Sequence, residues 1–245
     1  MTDISANNSP EQASPSNSVA MLGGTFDPIH HGHLRMALEL RDRLGFAQVR
    51  LVPCALPVHR ESPGCSAEQR LAMVQLAADE EAGLLIDDCE LRSNRPSYSF
   101  DTLSSLRAEL GDEVSLTMVI GTDSLRSLDS WYRWQELLGL CHILVIARPG
   151  WHLEPEHPVA RWLLPYQAES VEQLHATPSG SVLLLTLAGL EISASEIRRQ
   201  IGIGHSPRYL LPDSVWNHIR QQRLYQKVDP SINPELPTAD SITEK

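Results

Sequence analysis

The sequence predicts an α/β fold: a doubly wound, mainly parallel sheet with a small C-terminal helical part. Two observations predict it. Short apolar runs of strand length alternate with amphipathic stretches of helical spacing between residues 19 and 187. The runs are rich in Val, Ile and Leu without polar alternation, which is typical of parallel strands buried on both faces. After Leu187 the pattern is helical only.

The first predicted unit is a strand, a glycine turn and a helix. The strand Val19–Leu22 runs directly into Gly23 and Gly24. Apolar residues then recur at helical spacing, at Leu34, Ala37, Leu38 and Leu44. Paired glycines between a strand and a helix indicate a turn that brings backbone close to a ligand.

The second predicted unit begins with the strand Val49–Val52, which ends at Pro53. A Pro-containing loop follows to Gly64. Ser66 and Gln69 have the spacing of a capping box, which predicts that a helix begins there. The apolar face of this helix is predicted at Leu71, Val74 and Ala78.

The rest of the chain continues the alternation and then turns helical. The further predicted strands are Leu84–Ile86, Leu116–Ile120, Ile143–Ala147 and Val182–Leu187. The further predicted helices are Phe100–Leu110, Ser193–Ile201 and Pro212–Gln222. One domain is therefore expected over residues 19–228, its helical part at about 193–228, between a disordered tail (1–18) and a loose tail (229–245). Ligands of such sheets bind at the carboxyl ends of strands, so chemistry is expected in the loops after strands.

Composition restricts the partners. A net charge of −11 argues against broad binding to nucleic acid or to anionic membranes. Lys227 and Lys245 are the only lysines, so a phosphate site in the main body must use Arg, His, hydroxyls and backbone N–H groups. The four cysteines form no C-x-x-C pair and no apolar run approaches the roughly 18 residues of a membrane span, so a cytoplasmic location is expected. Self-association is left open.

The sharpest motif lies between the first strand and the first helix. It reads Gly-Gly-Thr-Phe-Asp-Pro-Ile-His-His-Gly-His, from Gly23 to His33. Glycines allow close backbone approach, and the following helix N-terminus favours negative charge. The motif is neither a Walker A loop nor a G-x-G-x-x-G fingerprint. It predicts a phosphate cradle to which imidazoles are added.

Two other interpretations of this motif exist. Three histidines in four residues suggest zinc, but adjacent histidines at a turn rarely point at one metal and no H-E-x-x-H pattern is present. A solvated, His-rich helix start would explain any single histidine. It does not explain the complete string.

The second motif opens a late helix. It reads Ile-Ser-Ala-Ser-Glu-Ile-Arg, from Ile192 to Arg198. Ser193 and Glu196 make an S-x-x-E capping box, which alone needs no ligand. The functional interpretation is that the helix N-terminus, two hydroxyls and the Arg198 guanidinium converge on phosphate oxygens.

Together these strings resemble the nucleotidyltransferase superfamily with an H-x-G-H signature and, within it, the bacterial nicotinate-nucleotide adenylyltransferases. The resemblance runs from about Ala20 to about Tyr225. It includes four further strings: residues 57–60 (Pro-Val-His-Arg), 95–99 (Arg-Pro-Ser-Tyr-Ser), 120–124 (Ile-Gly-Thr-Asp-Ser) and 131–132 (Trp-Tyr). It implies a Rossmann-like nucleotidyltransferase sheet and the transfer of AMP from ATP to nicotinate mononucleotide, a step of NAD biosynthesis.

The resemblance also implies roles for particular residues. Catalytic contacts to the ATP phosphates would come from His30, His33 and Arg198. ATP would further be bound by Gly23, Gly24, Thr25, Phe26, Gly121, Asp123, Ile192, Ser193 and Ser195. Nicotinate mononucleotide would be bound by Asp27, Ser99, Trp131 and Tyr132, with Trp131 stacked on the pyridine ring and backbone N–H groups near Ser99 and Tyr132 on its carboxylate.

Weaker candidates keep a structural alternative. His59 and Arg60 are a candidate phosphate loop, although a solvated loop explains them almost as well. Trp131 could equally be a core residue, since a lone Trp packs more often than it binds. Arg199 is expected on the solvated exterior of its helix.

The implied chemistry is an in-line attack of the mononucleotide phosphate on the α-phosphorus of ATP, with pyrophosphate leaving and no covalent intermediate. Because a phosphate monoester has a second pKa of roughly 6, it is mostly dianionic at neutral pH and needs no general base. Mg²⁺ is expected to enter with ATP and to keep waters, so no metal-binding residue is predicted.

Two alternatives stay open. A sister transferase would use phosphopantetheine or a cytidylyl donor, whereas the Trp131-Tyr132 pair and the length favour nicotinate. A non-catalytic nucleotide-binding regulator on the same fold is the other alternative. Intact His30, His33 and Arg198 weigh against it.

Overall fold

The structure is a computed structural model, and it describes residues 17–55, 64–79, 81–92, 96–147, 150–187 and 189–226. In that part of the chain, six strands form one sheet with the order β3-β2-β1-β4-β5-β6, and every neighbouring pair is parallel. The strands are β1 (Ser18–Gly24), β2 (Gln48–Pro53), β3 (Leu84–Ile86), β4 (Ser115–Gly121), β5 (His142–Ala147) and β6 (Val182–Thr186). The strand order reverses between β1 and β4, which is the switch point at which ligands of such sheets bind.

The helices of the described residues cover both faces of this sheet. They are α1 (His31–Leu38), α2 (Ala67–Ala78), α3 (Ser99–Leu110), α4 (Thr122–Arg126), α5 (Pro158–Leu163), α6 (Val171–His175), α7 (Ala194–Gly202) and α8 (Asp213–Gln221). A π-helical turn, Glu39–Arg43, continues α1, and short 3₁₀ segments span Leu128–Ser130, Trp134–Gly139 and Leu164–Tyr166. None of these helices combines the length and the apolar character that a membrane crossing requires.

Alternation along β1 explains the two cores. Ala20 belongs to a first buried cluster, whereas Val19 and Met21 belong to a second, because successive side chains of a strand point to opposite faces. The first cluster includes residues of α2, α7 and α8, and the second includes residues of α3 and α5. The predicted doubly wound sheet with a C-terminal helical part is therefore confirmed.

Two predicted details are wrong. Ser18 is not part of a tail but begins β1, where it is 1% exposed and its hydroxyl accepts the N–H of Ala47 at 3.4 Å. The carbonyl of Asn17 likewise accepts the N–H of Ser115 at 3.0 Å. The buried face of α2 includes Arg70 and Met73, whereas Leu71 is only partly buried. The predicted tails at residues 1–16 and 229–245 lie outside the described residues.

Candidate active site

The candidate site begins where β1 ends, beside the switch point. Gly23 and Gly24 are the last residues of β1, and the carbonyl of Gly24 accepts the N–H of Cys54 at 2.9 Å. Phe26 follows with a left-handed backbone (φ 50°) and a buried ring. A side chain at position 24 would place its Cβ 3.1 Å from that ring, so glycine is required for this close approach.

Two imidazoles of the motif form a stacked pair. The ring centroids of His30 and His33 lie 3.7 Å apart with an interplanar angle of 19°, and the edge-on ring of Phe26 packs on His33 at 5.0 Å. His30 precedes α1 and its carbonyl accepts the N–H groups of His33 and Leu34, which sets the spacing of the pair. His33 is only partly buried and offers the more accessible ring.

Burial controls the charge of this pair. His30 is 5% exposed, and this burial lowers the pKa of its imidazole to about 4. Its Nδ1 is buried without a hydrogen-bond partner among the described residues. A Cβ at Gly32 would come within 3.0 Å of that atom, so glycine is needed here as well. At neutral pH His30 is therefore uncharged and can donate through one N–H.

Arg198 reaches the same loop from α7. Its guanidinium donates to the carbonyl of Asp27 at 2.6 Å and lies 3.6 Å from the Asp27 carboxylate. The Asp27 carboxylate is buried, and its two oxygens accept hydrogen bonds from the Tyr225 hydroxyl at 2.7 Å and from the Gly64 N–H at 2.8 Å. Burial raises the pKa of the Tyr225 phenol, so this hydroxyl stays protonated and donates. Asp27 thus braces the loop, and its contact with the mononucleotide stays a prediction.

The start of α7 matches its sequence motif only in part. Ser193 is the N-cap and accepts the N–H of Glu196 at 3.4 Å, and the Ser193 and Ser195 hydroxyls lie 2.6 Å apart. The expected reciprocal bond of a capping box is replaced, because the Glu196 carboxylate binds Arg199 at 2.7 Å. That contact lowers the pKa of Glu196 to about 2. Both serine hydroxyls are exposed, whereas Ile192 is partly buried against the core.

The predicted adenosine contacts lie on the other side of the switch point. Gly121 ends β4 and is the N-cap of α4, whose first turn contains Asp123. Both residues are exposed, and a Cβ on Gly121 would meet nothing within 4 Å. The backbone at Gly121 therefore has room for a planar group to lie against it.

The predicted mononucleotide residues come together around the start of α3. Tyr98 is the N-cap that precedes Ser99, and its ring centroid lies 4.9 Å from that of Tyr132. Tyr132 also contacts Phe100 edge-on at 6.2 Å and is 49% exposed. Trp131 is partly buried against the second core cluster. The structure packs the rings of Tyr98 and Phe100, the neighbours of Ser99, against Tyr132, and Trp131 keeps both its structural and its binding interpretation.

The candidate phosphate loop with His59 and Arg60 lies outside the described residues. Its flanks are anchored to the site. Before it, the N–H of Ala55 donates to the Ser97 hydroxyl at 3.1 Å, and after it Gly64 binds Asp27. The loop therefore starts and ends beside the predicted substrate residues.

Metal ligation was examined for the histidine motif. No group of three His, Cys, Asp or Glu side chains that could hold a metal ion occurs within the described ranges. The nearly parallel rings of His30 and His33 also stack face to face rather than converge on one point. The Asp27 oxygens are already hydrogen-bonded, as described above.

Sequence reasoning missed two residues of this site, Arg70 and Tyr225. Arg70 donates to the carbonyl of Thr25 from the buried face of α2. Its signal was available, because it is a charged residue in line with Met73, Val74 and Ala77 at helical spacing. Tyr225 gave no signal, since its partner Asp27 is 198 positions away.

Comparison with known proteins agrees with this arrangement. Residues 21–200 match the family described as Cytidylyltransferase-like. The chain is 51% identical over 209 residues to a probable nicotinate-nucleotide adenylyltransferase of Cellvibrio japonicus, covering 85% of this chain and 99% of that protein. It is 49% identical over 212 residues to another, of Hahella chejuensis, covering 86% and 97%. Its fold is similar to the solved Plasmodium falciparum nicotinic acid mononucleotide adenylyltransferase complexed with NaAD, with a TM-score of 0.64, 17% identity, and coverage of 85% and 97%.

Proposed function

This chain belongs to the cytidylyltransferase-like family and, within it, to the nicotinate-nucleotide adenylyltransferases, and we propose a mechanism for its reaction. In that reaction, nicotinate mononucleotide and ATP give nicotinate adenine dinucleotide and pyrophosphate. The transfer is direct. One phosphate oxygen of the mononucleotide attacks the α-phosphorus in line, and the bond to the pyrophosphate oxygen breaks on the far side. No protein nucleophile takes part.

One observation carries this proposal: the Arg198 guanidinium binds Asp27 on the loop after β1, and the stacked His30–His33 pair lies at the end of the same loop and the start of α1. Donors and a cation at this point suit a triphosphate, because negative charge builds on the α-phosphoryl and pyrophosphate oxygens during transfer. The exposed hydroxyls of Ser193 and Ser195 at the start of α7 would add donors. His30, His33 and Arg198 are the proposed catalytic residues.

The lowered pKa of His30 supports a role other than general base. At neutral pH a monoester phosphate with a second pKa of roughly 6 is already mostly dianionic, so no group has to remove its proton. A neutral, buried imidazole is held in place before substrate binds and can donate a hydrogen bond. Catalysis then rests on position and on charge stabilisation.

The nicotinate end binds between the start of α3 and the Trp131-Tyr132 pair. The contacts of Tyr98 and Phe100 with Tyr132 support this placement, because they join the start of α3 to the Trp131-Tyr132 pair. Backbone N–H groups there would receive the carboxylate, and Trp131 would stack on the ring. Gly121 and Asp123 would face the adenosine.

Mg²⁺ enters as part of the substrate MgATP. Because Mg²⁺ keeps several waters and binds phosphate oxygens, this arrangement needs no protein carboxylate. The ion supplies charge neutralisation on the phosphates. A cytoplasmic location is proposed for the chain, since none of the four cysteines, all of which lie in the described residues, forms a disulfide.

A turnover assay tests the proposal. Purified chain with ATP, Mg²⁺ and nicotinate mononucleotide should release pyrophosphate and the dinucleotide in equal amounts. Phosphopantetheine as acceptor and CTP as donor serve as the matched comparisons. Faster turnover with either would identify a sister transferase, and ATP binding without turnover on any acceptor would identify a regulator.

A further inference from the structure

Arg70 is a buried guanidinium that contacts the loop after β1. It lies on α2, is 1% exposed and is the largest fully buried side chain of the described residues. Its NH1 donates to the carbonyl of Thr25 at 2.7 Å, and its NH2 donates to the carbonyl of Ala55 at 3.0 Å. Its Nε is buried without a hydrogen-bond partner in this part of the chain.

This charge has no carboxylate partner among the described residues. Across the described residues, no carboxylate oxygen lies within 4.0 Å of the Arg70 guanidinium nitrogens. The buried carboxylates of Asp87 and Glu39 are paired with arginines, Asp87 with Arg50 and Glu39 with Arg35 and Arg43. A buried charge is costly unless it is compensated. Among the described residues, Arg70 therefore stands out as a buried cation that no carboxylate contacts.

The two carbonyls that it binds belong to the loops after adjacent strands. Thr25 follows β1, and Ala55 follows β2 and directly precedes the loop that contains His59 and Arg60. A single planar side chain thus connects the two loops from which the sequence predicts phosphate contacts. A lysine could not bridge both carbonyls in the same fixed geometry, because it lacks the fork of the guanidinium.

The bond to Thr25 also fixes the direction of a backbone donor. In a trans peptide the carbonyl and the following N–H point in opposite directions. Because Arg70 draws the Thr25 carbonyl towards itself, the N–H of Phe26 points away from the guanidinium. The left-handed φ of Phe26 (50°) belongs to this turn, and such a conformation in a residue other than glycine needs support from its surroundings.

We propose that Arg70 is a positioning residue for ATP: it holds the Thr25–Phe26 peptide with its N–H turned to the phosphates, and the bound triphosphate compensates its buried charge. The inference rests on the proposed function for the identity of the anion. Arg70 does not touch the reacting atoms. It acts through the β1 loop and through its field, which is weakly screened inside the fold.

Arg107 provides a matched control. It also uses its guanidinium to hold backbone carbonyls, those of Leu140, Gly111, Val114 and Pro178, at 2.7 to 3.1 Å. These carbonyls lie near the amino-terminal ends of β4, β5 and β6, whereas the candidate site lies at the carboxyl ends of the strands. Arg107→Lys therefore reports what the loss of a carbonyl-binding fork does to the fold alone.

The experiment compares Arg70→Gln, Arg70→Lys and Arg107→Lys in the full chain. Calorimetry measures the Kd of ATP and of inorganic triphosphate, and steady-state assays measure kcat and the KM of each substrate. For Arg70→Gln we expect both Kd values to rise about tenfold or more and kcat to fall, with little change in the KM of the mononucleotide. Arg70→Lys should recover anion affinity to within about threefold while kcat stays low, because charge returns without the fork. Arg107→Lys should lower Tm only.

Wild-type Kd and kcat in folded Arg70→Gln would overturn the inference and leave Arg70 as a tether. If Arg70→Gln does not fold, Arg70→Lys decides: a reduced kcat at a Tm no lower than that of Arg107→Lys supports the role, and a wild-type kcat overturns it. Triphosphate affinity does not depend on the acceptor. A chain that fails to use nicotinate mononucleotide but binds triphosphate through Arg70 would therefore refute the proposed function and not this inference.

Discussion

The imidazoles of His30 and His33 stack at 3.7 Å between centroids. Two positive charges at that separation repel, and burial already lowers the pKa of His30 to about 4. The pair therefore carries at most one positive charge at neutral pH. The buried ring of His30 packs against the partly buried ring of His33.

His33→Ala should lower kcat by about 10²–10³ while the KM of either substrate changes much less, because the imidazole acts mainly on charge that develops in the transition state. Steady-state kinetics in both substrates measure this. His31→Ala is the control, because the His31 side chain has no assigned role. The variant also keeps the hydrogen bond from the backbone N–H of residue 31 to the Leu210 carbonyl. A higher KM with an intact kcat would make His33 a ground-state binder.

The buried His30 also predicts how stability depends on pH. Its folded pKa of about 4 lies below the unfolded value of 6.5, so the unfolded state binds more protons between these values. The contribution of His30 to the free energy of unfolding should therefore be complete above pH 6.5 and should be lost as the pH falls towards 4. At 1.36 kcal/mol per unit, the loss from His30 is at most about 3 kcal/mol.

Urea unfolding at several pH values measures this slope for wild type and His30→Asn. The variant should show a shallower loss of unfolding free energy between pH 6.5 and 4, and exposed His205→Asn should follow wild type. Some slope should remain, because burial also lowers the pKa of His142, whose ring bonds Ser181 and Thr177. Identical slopes in wild type and His30→Asn would contradict a buried, neutral His30.

Tyr225→Phe should destabilise the fold by about 1–3 kcal/mol, because Oδ1 of the buried Asp27 carboxylate loses its donor. We also expect a several-fold lower kcat/KM for ATP, since the Asp27 carbonyl holds Arg198. Chemical unfolding and steady-state kinetics measure the two effects. Tyr166→Phe, at a 41% exposed tyrosine, should change neither quantity. Wild-type stability in Tyr225→Phe would show that the hydrogen bond from Tyr225 to Asp27 does not stabilise the fold.

The strands could be predicted because their signal is local. Each buried strand is a continuous apolar run, and the predicted β3, Leu84–Ile86, has the observed bounds. The helices α4 and α6 have five residues each, too few to show a helical period. They were accordingly missed.

The site shows the same limit in a different form. The motif around His30 and His33 is contiguous, so it could be recognised in the sequence as a phosphate cradle, and the family resemblance implied the roles of these two histidines. The support of that loop comes from α2 and from the C-terminal end, through Arg70 and Tyr225. Such contacts join positions that are distant in the chain, and no spacing rule connects them.

The N-terminal segment allows a paired truncation. A chain that starts at Asn17 should keep the Tm and turnover of the full chain, because residues 1–16 have the polar composition of a disordered tail. A chain that starts at Val19 should melt several degrees lower, since it loses the Asn17 carbonyl bound by Ser115 and the buried Ser18 hydroxyl. Thermal unfolding measures both. A large loss in the first chain would assign the segment a structural role.

Substrate choice provides the last prediction. We expect the ring carboxylate of nicotinate mononucleotide to accept bonds at both oxygens from backbone N–H groups near Ser99 and Tyr132, a region in which the ring centroids of Tyr98 and Tyr132 lie 4.9 Å apart. The amide of nicotinamide mononucleotide turns one acceptor into a donor that faces another N–H. A buried donor left unpaired costs roughly 1–3 kcal/mol, so acid should be preferred about tenfold to a few hundredfold in kcat/KM.

Trp131→Ala separates ring recognition from carboxylate recognition. Stacking contacts the ring and not its substituent, so the variant should weaken both mononucleotides by a similar factor and leave their ratio unchanged. Measuring kcat/KM for both substrates on wild type and Trp131→Ala tests this, with Trp162→Ala as the control because that side chain packs on Trp134 within the second core cluster. Equal use of the two mononucleotides by wild type would exclude readout by the backbone. Unchanged kcat/KM in Trp131→Ala would show that Trp131 serves the core, against which it is already partly buried.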